Sequence, residues 1–221
     1  MATVTAKSIS KFQQTLLIWY DIDGRHFPWR NKRLTQYQII IAETLLQRTK
    51  AETISKFYGQ FIKDFPTWIS LAQADTAAIE LYLKPIGLYR QRAKRLKSLA
   101  LEMVARKGRL PKKRTDLESI PFIGQYIANA IELIIHNKPT PLLDVNMARL
   151  IERYFGKRTM ADIRYDPHLQ KLCYKVVNHQ RAKEINWAIL DYAAIICKAQ
   201  NPLCTACELR AKCLYFNKLN D

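Results

Sequence analysis

The chain has 221 residues, 48% hydrophobic and 25% charged, which suffices for a folded core in one domain or two small lobes. Its 36 Lys and Arg against 19 Asp and Glu give a net charge of +17, which predicts a polyanionic partner such as nucleic acid unless it serves solubility alone. The sequence contains neither an apolar run of the roughly 18 residues that span a membrane nor a signal-peptide core, so we expect a soluble cytoplasmic protein associated with the nucleoid.

Apolar residues recur at helical spacing along almost the whole chain, and no stretch alternates convincingly with period two. The sequence therefore predicts an all-α fold. The first helix is marked by residues between Phe12 and Tyr20, and the second by residues between Tyr37 and Leu45. Further helices are predicted near residues 50–64, 67–73, 75–83, 89–107, 124–136, 145–155, 168–178 and 182–196.

The second predicted helix has an aromatic entry and one acidic side chain. Phe27-Pro28-Trp29-Arg30 precedes it and is interpreted first as packing. Glu43 lies within its otherwise apolar stretch, and a buried carboxylate is costly unless it has a hydrogen-bond partner. Glu43 is therefore either a functional group or a partly exposed glutamate paired with Arg48 or Gln47.

A strongly basic segment follows in the middle of the chain. From Lys84 to Arg114 the sequence has twelve Lys or Arg and one acid, Glu102. Exposed cations of this kind release counterions when they bind DNA, which makes affinity fall with salt. A solvated helix face is the alternative, and it explains only some of these residues.

The stretch from Thr115 to Asn146 predicts two helices joined by a tight turn. Thr115 and Glu118 have the spacing of a capping box. Gly124 can take a positive φ and allow another backbone to come close, and the amides that open the next helix suit a phosphate. The form is that of a helix-hairpin-helix, and an ordinary αα-hairpin is the alternative.

Asp144 follows the hairpin and immediately precedes the next predicted helix. From the residues alone it is most simply a helix N-cap. Its neighbours Asn146 and Arg149 lie in the same segment.

Four cysteines near the end of the chain have the spacing C-x6-C-x2-C-x5-C. Four thiolates in a loop-rich segment suit an iron–sulfur cluster or a tetrahedral zinc, and disulfides are the least favoured in a reducing compartment. Cys173 is left over and is predicted to be a small buried apolar residue. The four candidate ligands are Cys197, Cys204, Cys207 and Cys213.

The hairpin, the segment around Asp144 and the cysteine spacing together resemble the endonuclease III superfamily of DNA base-excision glycosylases. The likeness extends from about Phe12 to Cys213, and the cysteine spacing matches the [4Fe–4S] loop of that superfamily. The resemblance implies a monomer that binds double-stranded DNA at a mismatch or damaged base and bends it over a cleft between two helical lobes. The implied lobes are residues 27–136, with the hairpin at about 115–136, and residues 1–26 with 137–221, with a mainly structural cluster on the loop 197–213.

The resemblance also implies roles for individual residues. Asp144 would be the catalytic carboxylate, and Glu43 would contact the base in its pocket. Bifunctional members have a lysine where this chain has Tyr126, so the resemblance implies a monofunctional enzyme in which Tyr126 stacks on or orients the flipped nucleotide. The implied contacts with substrate and DNA are Gln47 and Arg48, which fill the vacated stack, together with Leu88, Ile123, Gly124, Gln125, Asn146 and Arg149.

The hairpin departs from the family pattern at two positions. Phe122 replaces the first glycine of the usual Leu-Pro-Gly-Val-Gly, and Gln125 replaces a common Lys or Arg. A bulky residue in this turn is expected to shift it or to remove one close approach to a phosphate.

The segment Gly87–Ala93 resembles that of enzymes that excise thymine or uracil opposite guanine, which is therefore the predicted activity. An adenine glycosylase acting opposite guanine or 8-oxoguanine is the alternative. A cluster-bearing DNA-binding module without catalysis is the second alternative.

Overall fold

The computed structural model describes residues 4–220. For residues 219 and 220 it describes the backbone alone. Within this range the regular elements are helices and no strand is present, so the all-α prediction is confirmed. No described helix is long and apolar enough to cross a membrane. The α-helices are α1 Ala6–Asp23, α2 Gln36–Leu46, α3 Ala51–Ser55, α4 Tyr58–Asp64, α5 Trp68–Gln73, α6 Thr76–Leu83, α7 Tyr89–Ala105, α8 Arg114–Glu118, α9 Gln125–Ala130, α10 Val145–Phe155, α11 Pro167–Val177, α12 Ala182–Ile195 and α13 Leu214–Asn220.

Two predicted helices differ from the structure. The single helix predicted over 50–64 is two helices, which are separated by Lys56 and Phe57. Ile54 and Phe61 are both buried and lie seven residues apart, a spacing that an unbroken helix also buries, so the apolar pattern did not reveal the break. The helix predicted over 124–136 is α9 followed by a π-helical turn, Ile131–Ile135.

The chain divides into two compact units. The central unit is His26–Ile131, and the terminal unit joins the two ends of the chain, up to Arg25 and from Glu132 onward. In the central unit α5 and α6 pack on α7, and α2 packs on α9. Trp29 is buried as predicted, and its ring stacks on that of Phe27 with 4.8 Å between centroids.

The terminal unit is built on contacts between distant parts of the sequence. Helices α1 and α10 both pack on α12. The carboxylate of Asp191 on α12 is fully buried and accepts hydrogen bonds from the backbone N–H and the Nε of Arg25, at 2.9 and 2.8 Å. Cys173 is fully buried, which confirms its prediction as a small core residue.

The predicted capping box at the hairpin is wrong. Helix α8 begins at Arg114, so Thr115 already lies inside the helix, and the N-cap residue Lys113 makes no side-chain capping bond. The Thr115 hydroxyl donates to Asp116, and the Glu118 carboxylate accepts from Arg114 Nε at 2.9 Å. The two side chains therefore have other partners.

Gly124 does not use the positive φ that a glycine can adopt. Gly124 has an extended backbone with φ of −82°, and the left-handed residue of the turn is Phe122, with φ of 68°. A non-glycine residue in this region costs about 1–2 kcal/mol. The turn is nevertheless formed, and the guanidinium of Arg95 lies 5.6 Å from the centroid of the Phe122 ring.

Candidate active site

Glu43 and Tyr126 meet inside the central unit, where α2 packs against α9. Glu43 is 5% exposed, so its interpretation as a partly exposed glutamate is wrong. Burial raises the pKa of its carboxyl to about 7, although a hydrogen bond from Tyr126 and the charge of Arg30 act in the opposite direction. This carboxyl therefore changes its protonation state near neutral pH.

One oxygen of Glu43 remains available to a ligand. Its Oε2 atom is buried and has no hydrogen-bond partner among the described residues. A buried polar atom in this condition normally costs free energy, which a polar ligand group can offset by bonding to it. The Oε2 atom of Glu43 can therefore bond a polar group of a ligand that reaches it.

Asp144 lies in the terminal unit as the N-cap of α10. Its Oδ1 accepts hydrogen bonds from the backbone N–H groups of Asn146 and Met147, at 2.9 and 2.8 Å, and its Oδ2 accepts one from Asn146 Nδ2 at 2.8 Å. The interpretation as an N-cap is therefore confirmed. It does not exclude catalysis, because an N-cap carboxylate retains free lone pairs.

The pKa of the Asp144 carboxyl is raised by burial, which outweighs the bonds from Met147 and Asn146 and the charge of Arg149. Arg149 in turn holds Asn146 by donating from Nη2 to Asn146 Oδ1 at 3.1 Å. The same guanidinium donates to the carbonyls of Ala193 and Cys197, at 2.7 and 2.9 Å. A chain of hydrogen bonds thus runs from the cysteine segment to Asp144, and Arg149 is a structural contact.

The candidate cysteines line one small, partly open cavity of about 20 Å³ in the terminal unit. None of the four is in a disulfide. Tyr192 donates its O–H to Cys207 Sγ at 3.2 Å, and Arg153 Nη1 donates to Cys197 Sγ at 3.4 Å. In the described part of the chain no three His, Cys, Asp or Glu side chains are grouped as ligands of a metal ion. The cavity lining includes Cys197, Cys204, Cys207 and Cys213.

The sequence matches the pattern of the HhH-GPD superfamily of base excision DNA repair proteins over residues 41–175. The thymine-DNA glycosylase of Aeropyrum pernix is 35% identical over 214 residues, which are 95% of this chain and 96% of that protein. The chain belongs to the HhH-GPD superfamily. The resemblance to this superfamily predicted from the motifs is confirmed.

Further HhH-GPD proteins are similar over the full chain. The thymine/uracil-DNA glycosylase of Methanothermobacter thermautotrophicus is 32% identical over 99% of both chains. The solved structure of a thermostable thymine-DNA glycosylase superposes with a TM-score of 0.86 at 30% identity, over 96% of this chain and 98% of that one. Adenine DNA glycosylases are less similar: that of Arabidopsis thaliana is 27% identical, and this chain covers 37% of its length.

The predicted DNA contacts of the central unit occupy different environments. Gln47 immediately follows α2 and is half-buried. Arg48 and Leu88 are exposed and have left-handed backbones, with φ of 56° and 49°. Ile123 is 2% exposed and its N–H donates to the carbonyl of Ile120, so this HhH-GPD hairpin keeps Ile123 in its core. Its placement does not support the predicted contact with DNA.

The two remaining hairpin residues lie at the start of α9. An added Cβ at Gly124 would meet nothing within 4 Å, so the surface there is open. Gln125 is half-buried, and its carbonyl accepts from Arg114 Nη2 at 3.1 Å. The backbone at Gly124 is thus the more accessible part of the hairpin.

The basic segment from Lys84 to Arg114 separates into two groups. Four side chains are half-buried and bind the protein itself: Arg92 binds Gln47, Lys97 binds the carbonyl of Ala74, Arg106 binds Glu102, and Arg114 binds Glu118. The other eight are exposed: Lys84, Arg90, Lys94, Arg95, Lys107, Arg109, Lys112 and Lys113. The interpretation as a merely solvated face does not account for the first group.

The sequence reasoning did not find Tyr192, Arg153 and Arg92. Tyr192 and Arg153 contact the cysteine sulfurs, and Arg92 contacts the loop that follows α2. No local motif marks these side chains, because each acts on a partner far away in the sequence. Only the four-residue spacing of Arg149 and Arg153 could have indicated from the sequence that Arg153 shares a helix face with Arg149.

Proposed function

We propose that the protein is a monofunctional DNA glycosylase that hydrolyses the N-glycosidic bond of thymine or uracil paired with guanine. The observation that carries this proposal is Asp144, a carboxylate held in one orientation at the start of a helix. The full-length similarity to thymine- and uracil-DNA glycosylases supports the choice of base.

Asp144 would act on the sugar. Cleavage of the bond leaves positive charge on the sugar ring, and an ionised carboxylate beside the anomeric carbon stabilises that charge or activates water. The bond from Asn146 Nδ2 fixes Oδ2 of the carboxylate, at 2.8 Å. A fixed carboxylate needs no reorganisation when the charge develops.

Glu43 and Tyr126 would act on the base. A protonated Glu43 can donate a hydrogen bond to a carbonyl oxygen of thymine or uracil, which stabilises the negative charge that the departing base acquires. Tyr126, which shares a hydrogen bond with Glu43, would orient the base in its extruded position.

Double-stranded DNA with a mismatched or damaged base would be the partner of a monomeric protein. Exposed cations of the basic segment would bind phosphates, and Gln47, Arg48 and Leu88 would occupy the space that the extruded nucleotide leaves. Extrusion costs a few kcal/mol and costs least at a mismatch, which contributes selectivity.

A panel of duplexes tests the substrate. We expect single-turnover release of base from G·T and G·U, and at least tenfold slower release from A·G and A·8-oxoguanine. Faster release of adenine would instead support the adenine glycosylase. Binding to all duplexes without any base release would support the non-catalytic DNA-binding module.

Borohydride trapping tests the absence of lyase activity. A lyase forms a Schiff base between an amine and the opened sugar, which borohydride converts to a stable protein–DNA bond. A phenol at position 126 cannot form it, and the amine of Lys138 is engaged by Glu132 Oε1 at 2.6 Å. We expect essentially no trapped product with wild type, while Tyr126→Lys provides the positive control. Efficient trapping of wild type would contradict the monofunctional assignment.

Four cysteines of the terminal unit would hold a [4Fe–4S] cluster: Cys197, Cys204, Cys207 and Cys213. The four thiols line one cavity without being grouped as metal ligands there, so the support for this proposal is the thiol chemistry of the lining together with the C-x6-C-x2-C-x5-C spacing. When bound, the cluster would crosslink the segment that Arg149 and Arg153 contact, a structural role. Iron and acid-labile sulfide in the purified protein would support it, and one zinc without sulfide would favour the zinc alternative.

A further inference from the structure

Arg92 on α7 contacts the loop that follows α2. Its Nη2 donates to the carbonyl of Gln47 at 2.9 Å and to Oγ1 of Thr49 at 3.2 Å. Between these two acceptors lies Arg48, whose backbone is left-handed with φ of 56°. A left-handed arginine is strained, so the loop needs contacts of this kind to keep its shape.

Leu88 is a second strained residue near Arg92. It immediately precedes α7 and is left-handed and 69% exposed. The backbone N–H of Arg92 donates to its carbonyl at 2.9 Å, which is the first hydrogen bond of α7 and does not depend on the arginine side chain. The Arg92 side chain therefore supports the exposed, strained segment that carries Gln47 and Arg48.

The surroundings of Arg92 are electropositive. Burial, followed by the charges of Arg95 and Arg48, lowers the pKa of its guanidinium. Its Nε is buried and has no hydrogen-bond partner among the described residues. The like charges of Arg95 and Arg48 thus act on the Arg92 guanidinium, a repulsion that a bound polyanion reduces.

We propose that Arg92 is a positioning residue that holds the segment carrying Gln47 and Arg48 in the conformation that displaces a nucleotide from the duplex. The inference rests on the proposed glycosylase function and deepens it. Arg92 itself need not touch the base. Its contribution belongs to extrusion of the nucleotide and not to cleavage of the bond.

The test compares two substrates that differ only in the need for extrusion. One is a duplex with a G·U pair, and the other is the same duplex with the uracil in a one-nucleotide bulge, where extrusion costs less. Arg92→Met removes the donors and retains much of the length of the side chain. Arg90→Met is the control for the loss of one cation of the basic segment, because Arg90 is exposed on the same helix and carries the same charge. Its own loss of phosphate binding should slow both substrates alike, so the comparison isolates the positioning effect of Arg92.

We expect Arg92→Met to lower the single-turnover rate on the G·U duplex about 10- to 100-fold relative to Arg90→Met, the effect of a misplaced positioning group. On the bulged uracil the two variants should agree within about threefold. Fluorescence of 2-aminopurine beside the mismatch, which reports unstacking, should rise less on binding Arg92→Met than on binding wild type.

Thr49→Val removes one acceptor of Arg92 and should reproduce the defect in weaker form, while Arg92→Lys should restore part of the rate. If Arg92→Met does not fold, the rates of Thr49→Val and Arg92→Lys on the G·U duplex test the inference in its place. Equal rates for Arg92→Met and Arg90→Met on the G·U duplex, or equal losses on both substrates, would overturn the inference. If wild type releases no base from any substrate, the proposed function is overturned. In that case the 2-aminopurine experiment still tests the inference, and equal signals with Arg92→Met and wild type would overturn it as well.

Discussion

Asp144→Asn is expected to lower base release from a G·U duplex about 10³-fold, because asparagine has no negative charge to stabilise the cationic sugar. An asparagine at this position still caps α10, since its side-chain oxygen can accept from the N–H groups of Asn146 and Met147. The helix and the protein should therefore remain folded. Single-turnover kinetics at saturating enzyme measure the effect on the chemical step.

DNA binding provides the control for this substitution. The dissociation constant for a G·U duplex, measured by fluorescence anisotropy at fixed salt, should change less than about threefold. A rate within tenfold of wild type would show that Asp144 is an N-cap only. Equal losses of binding and rate would show that the variant had lost its fold.

Glu43→Gln is expected to stabilise the protein above neutral pH. At pH 4 the carboxyl is protonated in both the folded and the unfolded chain, so burial has little effect on stability. Between the usual pKa of 4.5 and the folded pKa of about 7 only the unfolded chain ionises, which lowers stability as pH rises. Above pH 7 the difference reaches about 3 kcal/mol. Glutamine has no charge to bury, so this loss should be absent.

Denaturant unfolding at pH 4 and at pH 8 measures this difference. Wild type and Glu43→Gln should be similar at pH 4, and the variant should be about 3 kcal/mol more stable at pH 8. Glu118→Gln is the control, because its surface ion pair with Arg114 contributes at most about 1 kcal/mol at either pH. A stability difference that does not depend on pH would contradict the raised pKa.

The same substitution alters the pH dependence of catalysis. The wild-type rate should rise with pH as Asp144 ionises and fall above about pH 7 as Glu43 loses its proton. Glu43→Gln should lose the falling limb and keep the rising one. A falling limb that persists in Glu43→Gln would assign it to another group.

Local pattern accounts for the parts of the fold that could be predicted. The apolar spacing of α2 or α10 is set within a dozen residues, and periodicity finds such helices. The turn at Phe122 could not be predicted in the same way, because a phenylalanine gives no sign of a positive φ. Nor could the break after α3, since Ile54 and Phe61 fit an unbroken helix equally well.

The candidate site was predictable to a lesser degree. Taken alone, Asp144 was most simply a helix N-cap, and its likeness to a known family suggested its role. The partners of the site residues come from distant parts of the chain: Glu43 bonds Tyr126, and Arg149 bonds the carbonyl of Cys197. Interactions over such separations depend on tertiary packing, which local propensity does not encode.

The division of the chain has a consequence for its synthesis. All of the central unit is contiguous in sequence and is complete once Ile131 has left the ribosome. Helix α1 is made before the central unit, yet its partner α12 ends at Ile195, so α1 cannot complete its packing until well after the central unit has been made. Contacts over such long separations form slowly. During synthesis the apolar face of α1 therefore stays without its final partner while the central unit can already fold.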